Sequence, residues 1–406
     1  MDRQSNKVDA LAILEWNEGG HHESYLNLYV ASLLASGRRL VVLCRNPEQL
    51  MAGLIMTGVS NSILDELLVV ERMPGLSWLD AHRAWPRFLR YWAYANHVGR
   101  ILKMAEKRLG ERCHSVFFSC LYEHQTRAIM ALVARARRPW CGLYLQASAF
   151  HFASKTGAST KGARRLFRLL ADSRLKCLLM LDEGISNQVA TASGRPVILV
   201  PDVTDASIEA NSPLAVKARV FAGSKPLVGL MGHLLPSKGT ATLATMSMDP
   251  EAADLAFLFA GEIHWEMFSA VDKQVLTQAM QHAPGAMFCE ARIPDERSYN
   301  ALLKSCDVLF AAYHDFPFSS NTLTKAAVFE KPVIVSAGHL MASRVREYRM
   351  GEIVPAGDVK AALDAIHRIT HDPEGWRHAM QPRWSDYRQR HSTNALKSVM
   401  QDFLSA

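Results

Sequence analysis

Short apolar runs alternate along this chain with longer segments whose apolar residues recur at helical spacing, the pattern of parallel strands linked by helices. Residues 11–16 (Leu-Ala-Ile-Leu-Glu-Trp) have the length and side chains of a buried strand. A loop from Asn17 to His22 follows, then helical spacing over 23–36, with Gly37 as the expected stop. Residues 39–44 form the second predicted strand, and further strands are expected at 115–119, 141–146, 177–181 and 197–200. A long helix is predicted over 85–109. From Pro201 to Pro226 the composition shifts to Asp, Ser, Ala, Asn and Pro, which marks the expected connection between two domains. The alternation then restarts, with strands at 227–231, 255–260, 286–289, 308–311 and 333–335. Helices are predicted at 240–246, 268–282, 296–305 and 323–329, and helical spacing continues over 358–370 and 373–405. The reading is two doubly wound, Rossmann-like α/β domains, 1–205 and 226–385. A C-terminal helix over 386–406 is expected to pack back towards the first. In such sheets, ligands sit outside the carboxyl ends of the strands.

Composition narrows the class. A chain of 406 residues exceeds one ordinary core and suits two of about 200 each. No apolar run approaches the ~20 residues that cross a bilayer, and the first residues show no cleavage pattern, so a cytoplasmic protein is expected. The seven cysteines are scattered through apolar stretches without a Cys-x-x-Cys pair, which predicts reduced core residues and no disulfide or zinc framework. The net charge of +7 is unevenly placed: residues 82–112 carry eight Arg and Lys against two Glu, and 135–176 carry ten against one Asp. A basic first half suits a phosphorylated substrate or a membrane surface, and equally a plain solvated face. Aromatics interleave with arginines at 85–92 and 161–168. That mixture serves peripheral binding at the inner face of a membrane, although Trp and Phe at helical spacing also fill cores. No nucleic-acid recognition module is present, and nucleic acid is not an expected partner.

Three loops carry candidate chemistry. Asn17-Glu18-Gly19-Gly20-His21-His22 joins a strand to a helix, so its glycines admit a ligand to the backbone and the helix start offers N–H groups to an anion. It is not a Gly-x-Gly-x-x-Gly fingerprint. Gly232-His233-Leu234-Leu235-Pro236-Ser237-Lys238-Gly239 again lies between strand and helix, with a lysine able to neutralise a phosphate, but without P-loop spacing. In the third loop, Ser319-Ser320-Asn321-Thr322 precedes an apolar helix. These residues can cap that helix, or hold a diphosphate over its N-terminus. His21 and His22 are adjacent, which points their rings apart, and no His/Asp/Glu spacing predicts a metal site. Gly-x-Ser-x-Gly is absent, which disfavours a serine hydrolase.

Taken in order, these segments resemble the group-1 family of glycosyltransferases with the GT-B fold. Gly19-Gly20 stands where that family has a Gly-Gly loop. Gly232 to Gly239 matches its Gly-Arg-Leu-x-x-x-Lys-Gly spacing, with His233 in place of Arg. Cys306-Asp307-Val308, Lys331-Pro332-Val333-Ile334-Val335 and Gly351-Glu352-Ile353-Val354 follow its later strands. The resemblance covers most of 227–370 and, more loosely, 8–45. One departure concerns the two Glu, eight positions apart, that precede the Lys-Pro strand in the family. Lys325 stands at the second and Pro317 at the first, with Asp315 close by.

The resemblance implies two Rossmann-like domains facing each other across a cleft. It further implies transfer of a sugar from a nucleotide-diphosphate donor to an acceptor hydroxyl, with no metal or other cofactor and with retention at the anomeric carbon. Polysaccharide or glycolipid biosynthesis, with a saccharide or lipid-linked acceptor, is the expected setting. Gly20, Gly232, His233, Lys238, Ser319, Ser320, Asn321, Thr322 and Lys325 would hold the donor phosphates, and Lys238 would also act catalytically by neutralising the leaving group. Lys325 would add charge near the phosphates or a sugar carboxylate, which admits a uronic-acid donor. Arg292 and Ile293 would face the nucleobase. His21 and His124, with neighbours His22 and Glu123, are the candidates to take the acceptor proton. Two other readings share the fold: a nucleotide-sugar 2-epimerase, and a non-catalytic glycosyltransferase-like partner protein.

Overall fold

Apolar runs without polar alternation become strands covered on both faces by helices, the setting in which parallel sheets occur. The computed structural model describes residues 9–18, 21–151 and 161–405. The chain divides into two units, residues 1–201 with 392–406, and residues 202–391. Among the described residues of the first unit, seven parallel strands form one sheet: β1 Leu11–Leu14, β2 Leu40–Cys44, β3 Leu68–Arg72, β4 Ser115–Phe118, β5 Trp140–Leu143, β6 Leu175–Met180 and β7 Val197–Leu199. Their order is β3-β2-β1-β4-β5-β6-β7, so the winding reverses between β1 and β4, where Leu11 pairs with Ser115 and Leu14 with Phe118.

The helix Arg87–Leu109 turns Tyr94, Ala95, Val98, Leu102, Ala105 and Leu109 into this core and stops at Gly110, whose φ of 73° is left-handed. The helix Thr393–Ser405 packs on His21–Ala35 within the same unit, with Leu396 and Met400 fully buried. Strand β3 was not expected. It follows the helix Asn61–Leu67 without an intervening turn, and only Leu68 of its five residues is buried, so neither punctuation nor an apolar run marks it.

The second unit holds β8 Leu227–Met231, β9 Ala256–Ala260, β10 Ala286–Cys289, β11 Val308–Ala311, β12 Val333–Ser336 and β13 Gly351–Val354. They are parallel, in the order β10-β9-β8-β11-β12-β13. This is the strand order of a dinucleotide-binding sheet, with its switch point between β8 and β11. Phe257, Phe259 and Phe310 lie at its centre, each no more than 1% exposed.

Two expectations need correction. The segment from Pro201 to Pro226 is not a free connection. Asp202 is 1% exposed, its carboxylate lies 3.6 Å from the buried Arg344, and the helix Pro213–Ala222 packs on Glu296–Ser305. The helical stretch 373–405 is three helices, Pro373–Met380, Trp384–Arg390 and Thr393–Ser405. The first ends where Gln381 takes a left-handed φ of 47° just before Pro382. Trp384 and Tyr387 bury into the second unit, so the division falls after His391, not at 386. All seven cysteines are free and six are buried, and burial pushes the thiols of Cys44, Cys113, Cys177 and Cys306 up to about 12.

Candidate functional site

The carboxyl edge of β8 leads into a loop built on glycine geometry. Gly232 has φ 94° and Gly261, after β9, has φ 134°; a β-carbon on Gly261 would stand 2.0 Å from the Gly232 carbonyl oxygen. Only glycine at 261 lets these two backbones approach. The loops are then laced together: Gly232 N–H donates to Ala260 (2.9 Å), Leu234 N–H to Glu262 (2.9 Å) and His264 N–H back to Leu234 (3.2 Å). A short 3₁₀ turn, Pro236–Lys238, ends at Gly239 with φ 71°, from which the helix Thr240–Ser247 departs. His314 N–H donates to Ser237 O at 2.7 Å, which fixes the loop after β11 against the loop after β8.

These constraints place the Lys238 ammonium beside the Gly232 backbone, with Nζ 3.4 Å from the position a β-carbon would take there. The same Nζ lies 5.5 Å from the centre of the Tyr313 ring. Tyr313 Oη is 3.2 Å from Thr322 Oγ1, and the Ser320 hydroxyl caps the helix Asn321–Val328 by accepting from Thr322 N–H at 3.4 Å. Gly232, Lys238, Tyr313, Ser320 and Thr322 therefore converge at the switch point between β8 and β11. The cation is thus linked through Tyr313 to a helix start, where Thr322 N–H meets Ser320 Oγ and Leu323 N–H donates to Ser320 O at 3.0 Å.

Three expected phosphate ligands are engaged elsewhere. Ser319 donates to Asp202 and accepts from Arg344 Nη1 at 2.6 Å. The Asn321 amide nitrogen donates to Val203 O (2.9 Å) and its oxygen accepts from Thr204 (2.8 Å). Lys325 is 2% exposed and donates to Glu296 and, at 2.6 Å, to Asn300 Oδ1. Burial lowers its pKa, while Glu296 acts to raise it. The physical reason is shared: these side chains anchor the segment 202–204 and the helix Glu296–Ser305. Lys325 adds no charge to a ligand surface, which removes the argument for a uronic-acid donor.

His233 is exposed, and its Nδ1 lies 2.8 Å from His264 Nε2, which in turn approaches Glu266 at 3.3 Å through Nδ1. Partial burial lowers its pKa, with His264, Lys238 and Arg292 adding repulsion and Glu262 opposing them. Arg292 is exposed on the loop after β10, and Ile293 packs on the core of the unit. Two groups of potential metal ligands occur among the described residues: His233 with Glu262 and His264, and Asp254 with His367 and His371. In the first, 2.8 Å is a ring-to-ring hydrogen bond, shorter than the ~3.3 Å between two tetrahedral ligands each ~2.05 Å from zinc. In the second, both rings bond the Asp254 carboxylate, at 3.3 and 2.9 Å.

In the first unit, Gly20 and the side chain of His21 lie outside the described residues. His22 is held in a polar cluster at the carboxyl ends of β1 and β4 that the sequence did not disclose. Glu15, 3% exposed, accepts from Asn17 N–H (2.7 Å) and from Ser119 Oγ (2.9 Å), and lies 3.7 Å from His22 Nδ1. Tyr122 Oη is 3.3 Å from His22 Nε2. A glutamate inside an apolar strand pattern was the available signal, since a buried carboxylate needs partners. His124 stacks on Tyr122 with ring centres 5.4 Å apart, and partial burial lowers its pKa while Glu123 acts to raise it. Glu123 accepts from Tyr144 Oη at 3.2 Å.

No protein-family model and no curated relative matches the sequence. Solved structures do match over nearly the whole chain. HepE of Anabaena, in complex with UDP and glucose, aligns with a TM-score of 0.70 at 13% identity, covering 98% of this chain and 99% of that one. Sucrose-phosphate synthase of Thermosynechococcus elongatus gives 0.66 at 15% identity, covering 97% and 98%. WaaG, a glycosyltransferase involved in lipopolysaccharide biosynthesis, gives 0.62 at 13% identity, again covering 97% and 98%. The chain therefore has the α/β GT-B fold, two Rossmann-like sheets of seven and six parallel strands.

Proposed function

We propose that the chain is a glycosyltransferase that moves a hexosyl group from a nucleotide-diphosphate sugar to an acceptor hydroxyl, with retention at the anomeric carbon and without a metal ion. One observation carries the reading: Lys238, beside Gly232, is joined through the Tyr313 ring to Thr322 and the Ser320 cap of a helix start at the switch point of a dinucleotide-type sheet. HepE is solved with UDP and with UDP-glucose on the same fold, which supports a donor of that class.

In this mechanism the diphosphate gains charge as the glycosidic bond breaks. Lys238 and the helix dipole neutralise that charge, Thr322 donates a hydrogen bond, and Gly232 leaves room for the phosphate at the backbone. Arg292 and Ile293 border the nucleobase. In the first unit, His124 and His22 are the groups that hold the acceptor proton, His22 with Glu15 behind it. A role in polysaccharide or glycolipid synthesis with peripheral membrane contact accords with Trp85, Phe88, Leu89 and Trp92, which are 39–73% exposed and recur at i, i+3, i+4 and i+7 among arginines. Of the expected carboxylate pair, one position is taken by the buried Lys325, and this favours the non-catalytic partner as the second reading.

A panel of nucleotide-diphosphate sugars incubated with a membrane lipid extract tests these readings. Release of free nucleoside diphosphate with sugar joined to acceptor, its anomeric configuration read by NMR and its rate unchanged by a chelator, is the expected result. Donor converted to an isomer identifies an epimerase. Saturable donor binding without turnover identifies the partner protein.

A further inference from the structure

The first unit carries a second basic site. A cleft of about 490 Å³ opens at the carboxyl side of its sheet, lined by Arg83, Arg87, Arg90 and Arg127 together with Tyr91 and His124. Arg87 and Arg90 sit in the first turn of the helix Arg87–Leu109, and Arg127 in the first turn of Thr126–Ala136. Neither first turn holds an acidic residue. Cations at helix N-termini oppose the macrodipole, so this placement costs stability unless an anion is present.

The protein itself supplies little compensation. Asp80 is the one carboxylate lining the cleft among the described residues, and it is paired with Arg83 at 3.2 Å. Among the described residues no ion pair involves Arg87, Arg90 or Arg127. Arg90 Nη1 donates to Leu79 O at 3.0 Å, and its buried Nε meets no acceptor among the described residues. Three guanidinium groups that line one cleft without an ion-pair partner among the described residues call for an oxyanion, and their planar N–H groups match phosphate oxygens.

We propose that this cleft binds a phosphoryl group, a phosphate or diphosphate ester carried by the acceptor. The inference rests on the glycosyl-transfer reading for the word acceptor, and not for the binding itself. Anchoring the phosphate beside His124 would hold an acceptor hydroxyl near a group able to take its proton. The same chemistry comes from two sources, a soluble sugar phosphate and a polyprenyl phosphate in a bilayer.

The test uses the full chain with the proposed donor site saturated by UDP. Glycerol phosphate and inorganic pyrophosphate are titrated by calorimetry. Flotation is measured with phosphatidylcholine vesicles containing a polyprenyl phosphate, or phosphatidylglycerol to equal charge. Arg87→Gln and Arg127→Gln remove side chains that make no hydrogen bond or ion pair among the described residues, so both variants stay folded. Each is expected to weaken binding about tenfold, one charge-assisted contact, while UDP affinity is unchanged. Binding of the soluble probes assigns a free phosphate; binding only of polyprenyl-phosphate vesicles assigns a lipid-borne one. Binding that both variants leave intact, equal flotation with phosphatidylglycerol, or no saturable binding at all overturns the proposal. Phosphate binding without sugar transfer keeps it and removes the transferase reading instead.

Discussion

Replacing Lys238 by alanine separates a ligand role from a structural one. Its ammonium makes no ion pair among the described residues, and it lies beside the Gly232 backbone and 5.5 Å from the centre of the Tyr313 ring. Loss of a half-exposed cation–π contact costs about 0.5–1 kcal/mol. In a unit of roughly 200 residues that lowers the melting temperature by only about 1–4 °C. The loss in catalysis should be far larger. A preorganised charge aimed at a leaving group in a partly dry site is worth about 2.7–4 kcal/mol, or roughly 10²–10³ in kcat. The assay is initial-rate release of nucleoside diphosphate from the preferred donor, run beside differential scanning calorimetry of the same preparation. Turnover within about threefold of wild type would remove Lys238 from the mechanism on the same rate scale. A fall in melting temperature well beyond 4 °C would show that it holds the loop together instead.

Other substitutions test the reassigned residues. Lys325→Met breaks the buried contacts to Glu296 and Asn300; because Glu296 is a third exposed, the expected loss is about 2 kcal/mol by urea denaturation, with kcat per folded molecule retained. A variant of normal stability and lost turnover would restore Lys325 to the ligand site. Asp202→Ala removes the buried carboxylate that lies 3.6 Å from the 1%-exposed Arg344 and bonds Ser319 and Asn321, and should destabilise the second unit by about 3–5 kcal/mol, visible as a separate early transition on heating. His233 has a pKa lowered by burial and nearby cations, so a bound diphosphate must raise it. A proton is then taken up on binding. Donor affinity should rise as pH falls through the interval between the free and bound values, and His233→Gln should abolish that slope.

The strands that carry the site were legible in the sequence because buried parallel strands are short, unbroken apolar runs. β8, β10 and β11 fall at the expected residues, and the glycines at 232 and 239 mark their loops. The loop-to-loop contacts were not legible, since they join distant positions. Nothing local pairs Asn321 with Asp202, Lys325 with Glu296, or Glu15 with Ser119, and each pairing decides whether a polar residue faces a ligand or the fold. The run of small polar residues at 319–322 looked like a phosphate grip throughout. Half of it anchors the segment after Pro201, whose composition of Asp, Ser, Ala, Asn and Pro read as a linker. Polar residues in an apparent linker are a signal of such anchoring when an equally polar run lies elsewhere with no charge of its own.

The crystal structure of the chain grown with UDP tests the central claim most directly. The account predicts a diphosphate beside the Gly232 backbone, within hydrogen-bond distance of Lys238 Nζ and Thr322 Oγ1, and capped by the N–H groups that begin the helix Asn321–Val328. A nucleotide bound away from that corner, with Lys238 untouched, would contradict it.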